Sequence, residues 1–296
     1  MTRRTGPRVL VIYKKSAFQI YVRERRSARV AALLRERHVT VARLRAAHED
    51  HVGTVVAARA LLRALGARAV FRYRAEVGAA EGFDLVVTLG GDGTLLWASH
   101  AVGPDVPVIA VNTAPRDSVG FFCAGTRDVL GDVLADALAG RVRATRLTRM
   151  RVELDGAEVS NRVLNDALFC HECPAATSRY LLRFAGVEEE QRSSGLWVGP
   201  AAGSTAAQRS AGGRVLPVGS QRLQFVVREP YLADGRRYRH MRGLVAPDDT
   251  LRVVSKMRAA RLFLDGPHAA VNVEMGATLS FARSDEPLTL LGLRRR

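Results

Sequence analysis

The first strongly patterned stretch of the chain is a continuous apolar run, "RVLVIY" at 8–13, with the length of a strand buried on both faces. Apolar positions then thin out among arginines, and Val22, Val30, Leu33 and Leu34 mark a helical stretch over 21–37. Val52, Val55, Val56, Leu62 and Leu65 repeat at helical spacing and predict a second helix, stopped by Gly66. "RAVFRY" (68–73), "DLVVTL" (84–89) and "VPVIAVN" (106–112) read as further strands, and "TLLWASHAV" (94–102) as a helix between the last two. An amphipathic helix over 126–141 ends at Gly140. This alternation predicts an α/β domain with a mainly parallel sheet and helices on its faces.

Beyond that helix the period shortens. "RMRVELDG", "RVLNDALF", "RYLLRFAG", "GLWVG", "LQFVVRE", "TLRVVSK", "ARLFLDG" and "ATLSFA" follow at short intervals, several separated by glycine or Asp-Gly turns, and each reads as a strand. The predicted division is an α/β domain over 1–143 and a β-rich domain over 144–296, with the C-terminal segment packing back on the first domain. The closing "LRRR" reads as a solvated end, and no internal repeat stands out.

Composition narrows the function classes. A chain of 296 residues with 47% hydrophobic content can bury a real core. It contains no apolar run of about 18 residues, and the apolar stretch after the N-terminal arginines is too short for a signal-peptide core, so a cytoplasmic location is expected. The net charge of +16 invites a nucleic-acid partner. However, 42 of the 45 basic residues are arginines scattered along the chain, with Lys14, Lys15 and Lys256 the only lysines. That dispersal argues against a specific nucleic-acid surface and leaves attraction of smaller polyanions such as nucleotides. The odd number of cysteines, Cys123, Cys170 and Cys173, argues against a disulfide framework. "CHEC" at 170–173 has a C-x-x-C spacing but no second ligand pair nearby; His240 or His268 would have to be brought in by the fold, and no metal site is assigned.

The candidate chemistry lies in "DLVVTLGGDGTLLWASH" (84–100), where a buried strand runs into Gly90-Gly91-Asp92-Gly93-Thr94 and on into a helix. This places the loop at the carboxyl edge of a parallel sheet, where α/β proteins bind ligands. Glycines permit positive φ and close approach of backbone N–H groups to a phosphate, and the helix N-terminus favours anions. The spacing and lysine of a Walker loop are absent, so phosphates would depend on backbone donors, Thr94 and Mg²⁺. An ordinary turn in which Asp92 or Thr94 caps the helix is the simpler alternative, worth about 1 kcal/mol. It leaves Gly90 and Gly91 unexplained.

The Gly-Gly-Asp-Gly-Thr loop resembles that of NAD kinases and of the diacylglycerol and sphingosine lipid kinases, and alone it does not separate them. "RVLNDALF" (162–169) resembles the NAD kinase segment carrying an Asn-Glu pair, here Asn165-Asp166. "SSGLWVGPAAGSTAAQRSAGG" (193–213) resembles that family's long glycine, serine and threonine motif, and "LFLDG" (262–266) and "EPLTLL" (286–291) resemble its closing strands. "VNTAPRDSVGFFCA" (111–124) and "HECPAATSRY" (171–180) are most similar to the mitochondrial-type branch.

The resemblance implies a two-domain fold and transfer of the γ-phosphoryl group of ATP to the adenosine ribose 2′-hydroxyl of NAD, giving NADP, with Mg²⁺. By resemblance Asp92 is the base, and Gly90, Gly91, Gly93 and Thr94 surround the phosphates. Asn112, Phe121, Asn165, Asp166, Ser194, Thr205, Ala206 and Ser210 line the dinucleotide, and the assembly is a homodimer or homotetramer. Asp166 is one methylene shorter than the family's glutamate, Ala202 and Ala207 stand where the family has threonine and tyrosine, and Ser194 stands where most bacterial members have aspartate. These departures concern the acceptor's far half more than phosphoryl transfer. A lipid kinase sharing the loop and a non-catalytic NAD(P)-binding regulator are the alternatives.

Overall fold

A computed structural model describes residues 6–232, 235 and 237–293. The first five residues and Arg294–Arg296, part of the predicted solvated end, lie outside the described residues. The chain forms two compact units, one built from the residues up to Thr145 and from Thr289 onward, the other from Arg146–Leu288.

The first unit is α/β. Its strands are β1 (Arg8–Tyr13), β2 (Arg68–Tyr73), β3 (Leu85–Gly90), β4 (Val108–Asn112), the short β5 (Gly125–Thr126) and β6 (Ala144–Leu147), which reaches just past the boundary. β1 pairs in parallel with β2 and β3, and β3 pairs in parallel with β4. Every residue of β3 and β4 is buried, which is why both read as unbroken apolar runs and not as alternating ones. Helices α1 (Ala28–Arg35), α2 (Leu44–Ala64), α3 (Asp92–Ser99) and α4 (Leu130–Leu138) complete the unit. On one sheet face Val9, Val11, Val87, Leu89, Ile109 and Val111 share a core with Ala58 and Leu62 of α2 and Leu130 and Leu134 of α4.

Three helices differ from the sequence expectation. The 21–37 stretch divides into a π-helical turn, Gln19–Glu24, and α1, because Arg26 takes a left-handed φ of 48° between them. Ser27 then caps α1 by accepting from the Val30 N–H. α2 begins at Leu44, well before Val52, because its early buried positions are His48, His51 and Thr54, which an apolar period does not register. The 126–141 helix opens with a 3₁₀ turn, Arg127–Val129.

The second unit is antiparallel. In chain order it contains β7 (Met150–Leu154), β8 (Ala157–Val163), β9 (Ala167–His171), β10 (Ser178–Phe184), β11 (Val187–Ser193) and β12 (Gly195–Pro200). After a 3₁₀ turn at Ala201–Thr205 and the short α5 (Ala207–Ser210) come β13 (Leu223–Arg228), β14 (Arg242–Val245), β15 (Thr250–Ser255), β16 (Ala260–Leu264), β17 (Ala269–Val273) and β18 (Thr278–Arg283). One sheet runs β11-β10-β15-β18-β7-β8 and the other β14-β13-β12-β9-β16-β17. Tyr180, Leu182, Val253 and Phe281 of the first sheet share one core with Phe169, Val198, Phe225 and Leu262 of the second. "RVLNDALF" is therefore two strands and not one, with Leu164–Asp166 turning the chain between β8 and β9.

The last strand, β19 (Leu288–Leu291), leaves this unit and pairs in parallel with β4, between β4 and β6. Among the described residues no helix is long and apolar enough to cross a membrane.

Candidate active site

In the first unit the site is built where β3 ends and α3 begins. Gly91 occupies the cap position of α3 with extended backbone (φ −126°, ψ −165°) and supplies no side-chain cap. Asp92 follows in the first turn. Its Oδ2 accepts the Phe121 N–H at 2.9 Å and its Oδ1 accepts the Phe122 N–H at 2.9 Å. Two backbone donors from the loop after β4 thus fix the carboxylate, and each oxygen keeps further lone-pair capacity for a proton or a cation. The group is half-buried, so it remains open to a reactant.

The expected positive φ of the loop glycines is not found: Gly90, Gly91 and Gly93 all lie outside the left-handed region. Gly90 and Gly91 are required for room. A Cβ on Gly90 would lie 2.0 Å from Thr94 Oγ1, and one on Gly91 would lie 2.9 Å from Ser118 Oγ. Gly93 differs, because a Cβ there would meet nothing within 4 Å. Thr94 is 2% exposed, and its side chain packs against Gly90.

Asn112, at the end of β4, is consumed by the following loop. Its Oδ1 accepts from Ala114 N–H (3.1 Å) and Ser118 Oγ (3.0 Å), and its Nδ2 donates to the Ser118 carbonyl (3.2 Å). Gly120, at φ +62°, approaches the same amide so closely that a Cβ would lie 2.6 Å from Nδ2. Asn112 therefore shapes the loop that carries the two Asp92 donors. Phe121 is half-exposed, with its ring edge-on to that of buried Phe122 at 5.0 Å.

Sequence reasoning missed His51. It is buried on α2, with Nε2 2.7 Å from the Lys14 carbonyl and Nδ1 3.0 Å from Thr113 Oγ1. A carbonyl only accepts, so Nε2 carries the proton and Nδ1 accepts the threonine hydroxyl. Burial, opposed by that carbonyl, holds the imidazole pKa down to about 4, so it is neutral at neutral pH. It ties the ends of β1 and β4 together.

In the second unit Asn165 and Asp166 form the turn between β8 and β9, and another missed residue, Asp265, organises it. Asp265 accepts from the backbone N–H groups of Leu164 (2.9 Å), Asn165 (2.6 Å) and Asp166 (3.1 Å), and its own N–H donates to the Asp166 carbonyl. Asn165 Nδ2 donates to Asp166 Oδ2 at 2.6 Å. Asp166 is 6% exposed; burial first, and the Asp265 charge second, raise its pKa to about 7 against the opposing Asn165 bond.

The glycine-rich motif packs on this turn. A Cβ on Gly203 would lie 1.6 Å from the Asn165 carbonyl oxygen and one on Gly199 2.5 Å from it. Buried Gln208 also reaches this carbonyl, at 3.4 Å, and accepts from Gln224 at 3.1 Å. Thr205 is half-buried, while Ala206 and Ser210 are exposed on the same short helical segment, and Ala202 is buried.

Ser194 stands apart from this group. Leu196 pairs with Phe169 and Val198 with Ala167, which puts Ser194 at the far end of β12 from Asn165, about 17 Å along the strand from Gly199. It borders a separate cavity with Thr177, Tyr231 and Leu232. Among the described residues no group of three His, Cys, Asp or Glu side chains could hold a metal ion, and the Cys173 N–H donates to His171 Nδ1. Burial pushes the Cys123 thiol up to about 12 and raises that of Cys170.

The model of the ATP-NAD kinase N-terminal domain matches residues 6–141. A probable NADH kinase from Oryza sativa subsp. japonica is 36% identical over 226 residues, spanning 69% of this chain and 69% of its own. An NADH kinase from Arabidopsis thaliana is 36% identical over 231 residues, spanning 69% and 71%. Among solved structures, a yeast NADH kinase complexed with NADH superposes with a TM-score of 0.71 at 15% identity, over 97% of this chain and 84% of the other. An NAD kinase from Archaeoglobus fulgidus in complex with ATP superposes at 0.67 and 19% identity, over 97% and 94%. At these identities the structural matches speak for the fold.

Proposed function

The chain belongs to the NAD kinase family, and we propose that its first unit carries the phosphoryl-transfer chemistry and its second the dinucleotide clamp. The enzyme uses ATP to phosphorylate NAD, giving NADP. The carrying observation is the Asp92 carboxylate at the carboxyl edge of the parallel sheet, aimed by the Phe121 and Phe122 N–H groups.

The acceptor is the 2′-hydroxyl of the adenosine ribose. As its oxygen bonds to the γ-phosphorus, the bond from that phosphorus to the β-γ bridging oxygen breaks and ADP leaves. The hydroxyl proton passes to Asp92. Such a transition state is loose, so a well-placed acceptor of ordinary basicity is sufficient, and most of the rate comes from positioning. Around it Gly91 and Gly93 let the phosphates approach the backbone at the start of α3, where the field of the helix N-terminus favours an anion.

In the second unit Asn165, Asp166, Thr205, Ala206 and Ser210 hold the dinucleotide. With its pKa near 7, Asp166 can serve either as an acceptor or, when protonated, as a donor to an adenosine edge. A Mg²⁺ ion would be held chiefly by the ATP phosphates. The remaining lone pairs of the Asp92 carboxylate would be the protein's contribution to holding it. When bound, the ion neutralises phosphate charge. A homodimer or homotetramer in the cytoplasm, with no nucleic-acid partner, completes the reading.

The test is NADP formation by the purified protein from Mg-ATP and NAD, read with an NADP-specific dehydrogenase. NADH is run in parallel because relatives at 36% identity are NADH kinases. Asp92→Asn is expected to lower kcat by about 10²- to 10⁴-fold with the fold retained; equal activity would remove Asp92 as the base.

A further inference from the structure

Lysine is rare in this chain, and two of its three lysines stand together, as Lys14 and Lys15, at the carboxyl end of β1. Two of the three have evident structural work. Lys15 pairs with Glu24 at 3.0 Å and lies over the Tyr73 ring, and Lys256 pairs with Glu190 at 2.9 Å. Lys14 is half-buried, yet among the described residues no ion pair joins it to a carboxylate.

Its neighbours make the position costlier. Tyr13 is in register with Tyr73 on one side and Leu89 on the other, so the next residues along the three strands are Arg74, Lys14 and Gly90. Lys14 and Arg74 extend from adjacent strand ends, about 5 Å apart, on the face of the sheet opposite Val9 and Val11. The Arg74 guanidinium lies 5.0 Å from the centre of the Trp97 ring, so α3 itself holds it in place. The anion with the strongest field on Lys14 is Asp117, and Asp117 is already paired with Arg43 at 3.2 Å. Burial and the adjacent Arg74 press the Lys14 pKa downward, as expected for a cation facing another cation. Two like charges held near one another and partly shielded from water are unfavourable until an anion resolves them.

We propose that Lys14 and Arg74 form a clamp for the phosphoanhydride chain of the donor, beside the Gly90–Thr94 loop. An ammonium suits a point contact on a phosphate oxygen, and its charge is what the contact uses. His51 is a positioning residue here, since it fixes the Lys14 carbonyl to the end of β4. The clamp deepens the kinase reading and rests on it for the reaction, but its contact is with the phosphate chain that ATP and inorganic polyphosphate share.

Two measurements test it. The first is calorimetric binding of inorganic tripolyphosphate to the full-length protein, which needs no turnover. Lys14→Met, which keeps the apolar stem, and Arg74→Gln are each expected to weaken binding about 10- to 100-fold, the size of a lost charge-assisted hydrogen bond. Lys14→Arg keeps the charge and is expected to stay within a few-fold of wild type. Unchanged binding in Lys14→Met, or equal losses in Lys14→Arg and Lys14→Met, overturns the clamp. The second is steady-state kinetics with ATP and, separately, polyphosphate as donor. KM for each donor that supports turnover should rise by a similar factor, with KM for NAD unmoved; a rise confined to NAD overturns the proposal. A wild-type protein that binds tripolyphosphate but makes no NADP from either donor would refute the kinase reading and leave the clamp standing.

Discussion

Asp166 and His51 have pKa values displaced in opposite directions, each toward the neutral side chain, and each leaves its own mark on stability against pH. The carboxyl of Asp166 titrates near 7 in the fold against 3.8 for the free side chain. The folded state therefore holds a proton that the unfolded state has released between about pH 4 and 7, and this contribution is full below 4 and lost as pH rises to 7. His51 titrates near 4 against 6.5, so its contribution is present above 6.5 and lost as pH falls to 4. Melting temperatures of Asp166→Asn measured from pH 4 to 8 should fall less with rising pH than those of wild type; parallel curves would show that Asp166 ionises normally. Asp265→Asn leaves one carbonyl oxygen where a carboxylate serves three N–H groups. It should cost about 2–3 kcal/mol in denaturant unfolding and, by removing a neighbouring charge, bring the Asp166 midpoint down.

At the scale of elements, three glycines in two loops should respond differently to the same methyl group. Gly203→Ala drives a Cβ into the Asn165 carbonyl, which is backbone and cannot rotate away, so the turn carrying Asn165 and Asp166 must move. A loss of several kcal/mol in unfolding free energy is expected, at the upper end of about 1–3 kcal/mol for overpacking or beyond it. Gly90→Ala meets the Thr94 side chain and should cost about 1–3 kcal/mol. Gly93→Ala meets nothing within 4 Å and sits in a helical turn, so it should leave the melting temperature unchanged or slightly raised. If phosphates approach the backbone there, it should still raise KM for ATP. The same contrast marks the limits of sequence reading. Buried strands such as β3 and β4 were legible because apolar runs have few alternatives, and the Gly-Gly-Asp-Gly-Thr loop because its flanking strand and helix were legible. β11, "VEEEQRS", was not, since an edge strand with charged outward positions lacks the apolar signal. Nor was the start of α2, whose inner face begins with histidines. The organising roles of Asp265 and Gln208 depend on partners far along the chain, which no local pattern reveals.

For the whole molecule, the net charge of +16 draws small anions to the surface without specifying where they bind. Raising ionic strength from about 0.05 M to about 0.5 M shortens the screening length several-fold, and KM for ATP should rise several-fold while kcat changes little. A flat salt profile would mean that the scattered arginines contribute nothing to capture. The path of the backbone has a further consequence. β19 occupies the place between β4 and β6 in the first unit's sheet, although it is made after every strand of the second unit. During synthesis the first unit therefore waits for β19 with the Val108 and Ile109 part of the β4 edge unpaired, since β5 covers only Val111 and Asn112. Residues 1–145 produced alone would keep that open edge permanently and should collect in the insoluble fraction. A sheet closed by β19 makes residues that follow the whole second unit a condition for completing the sheet from which the Asp92 loop projects.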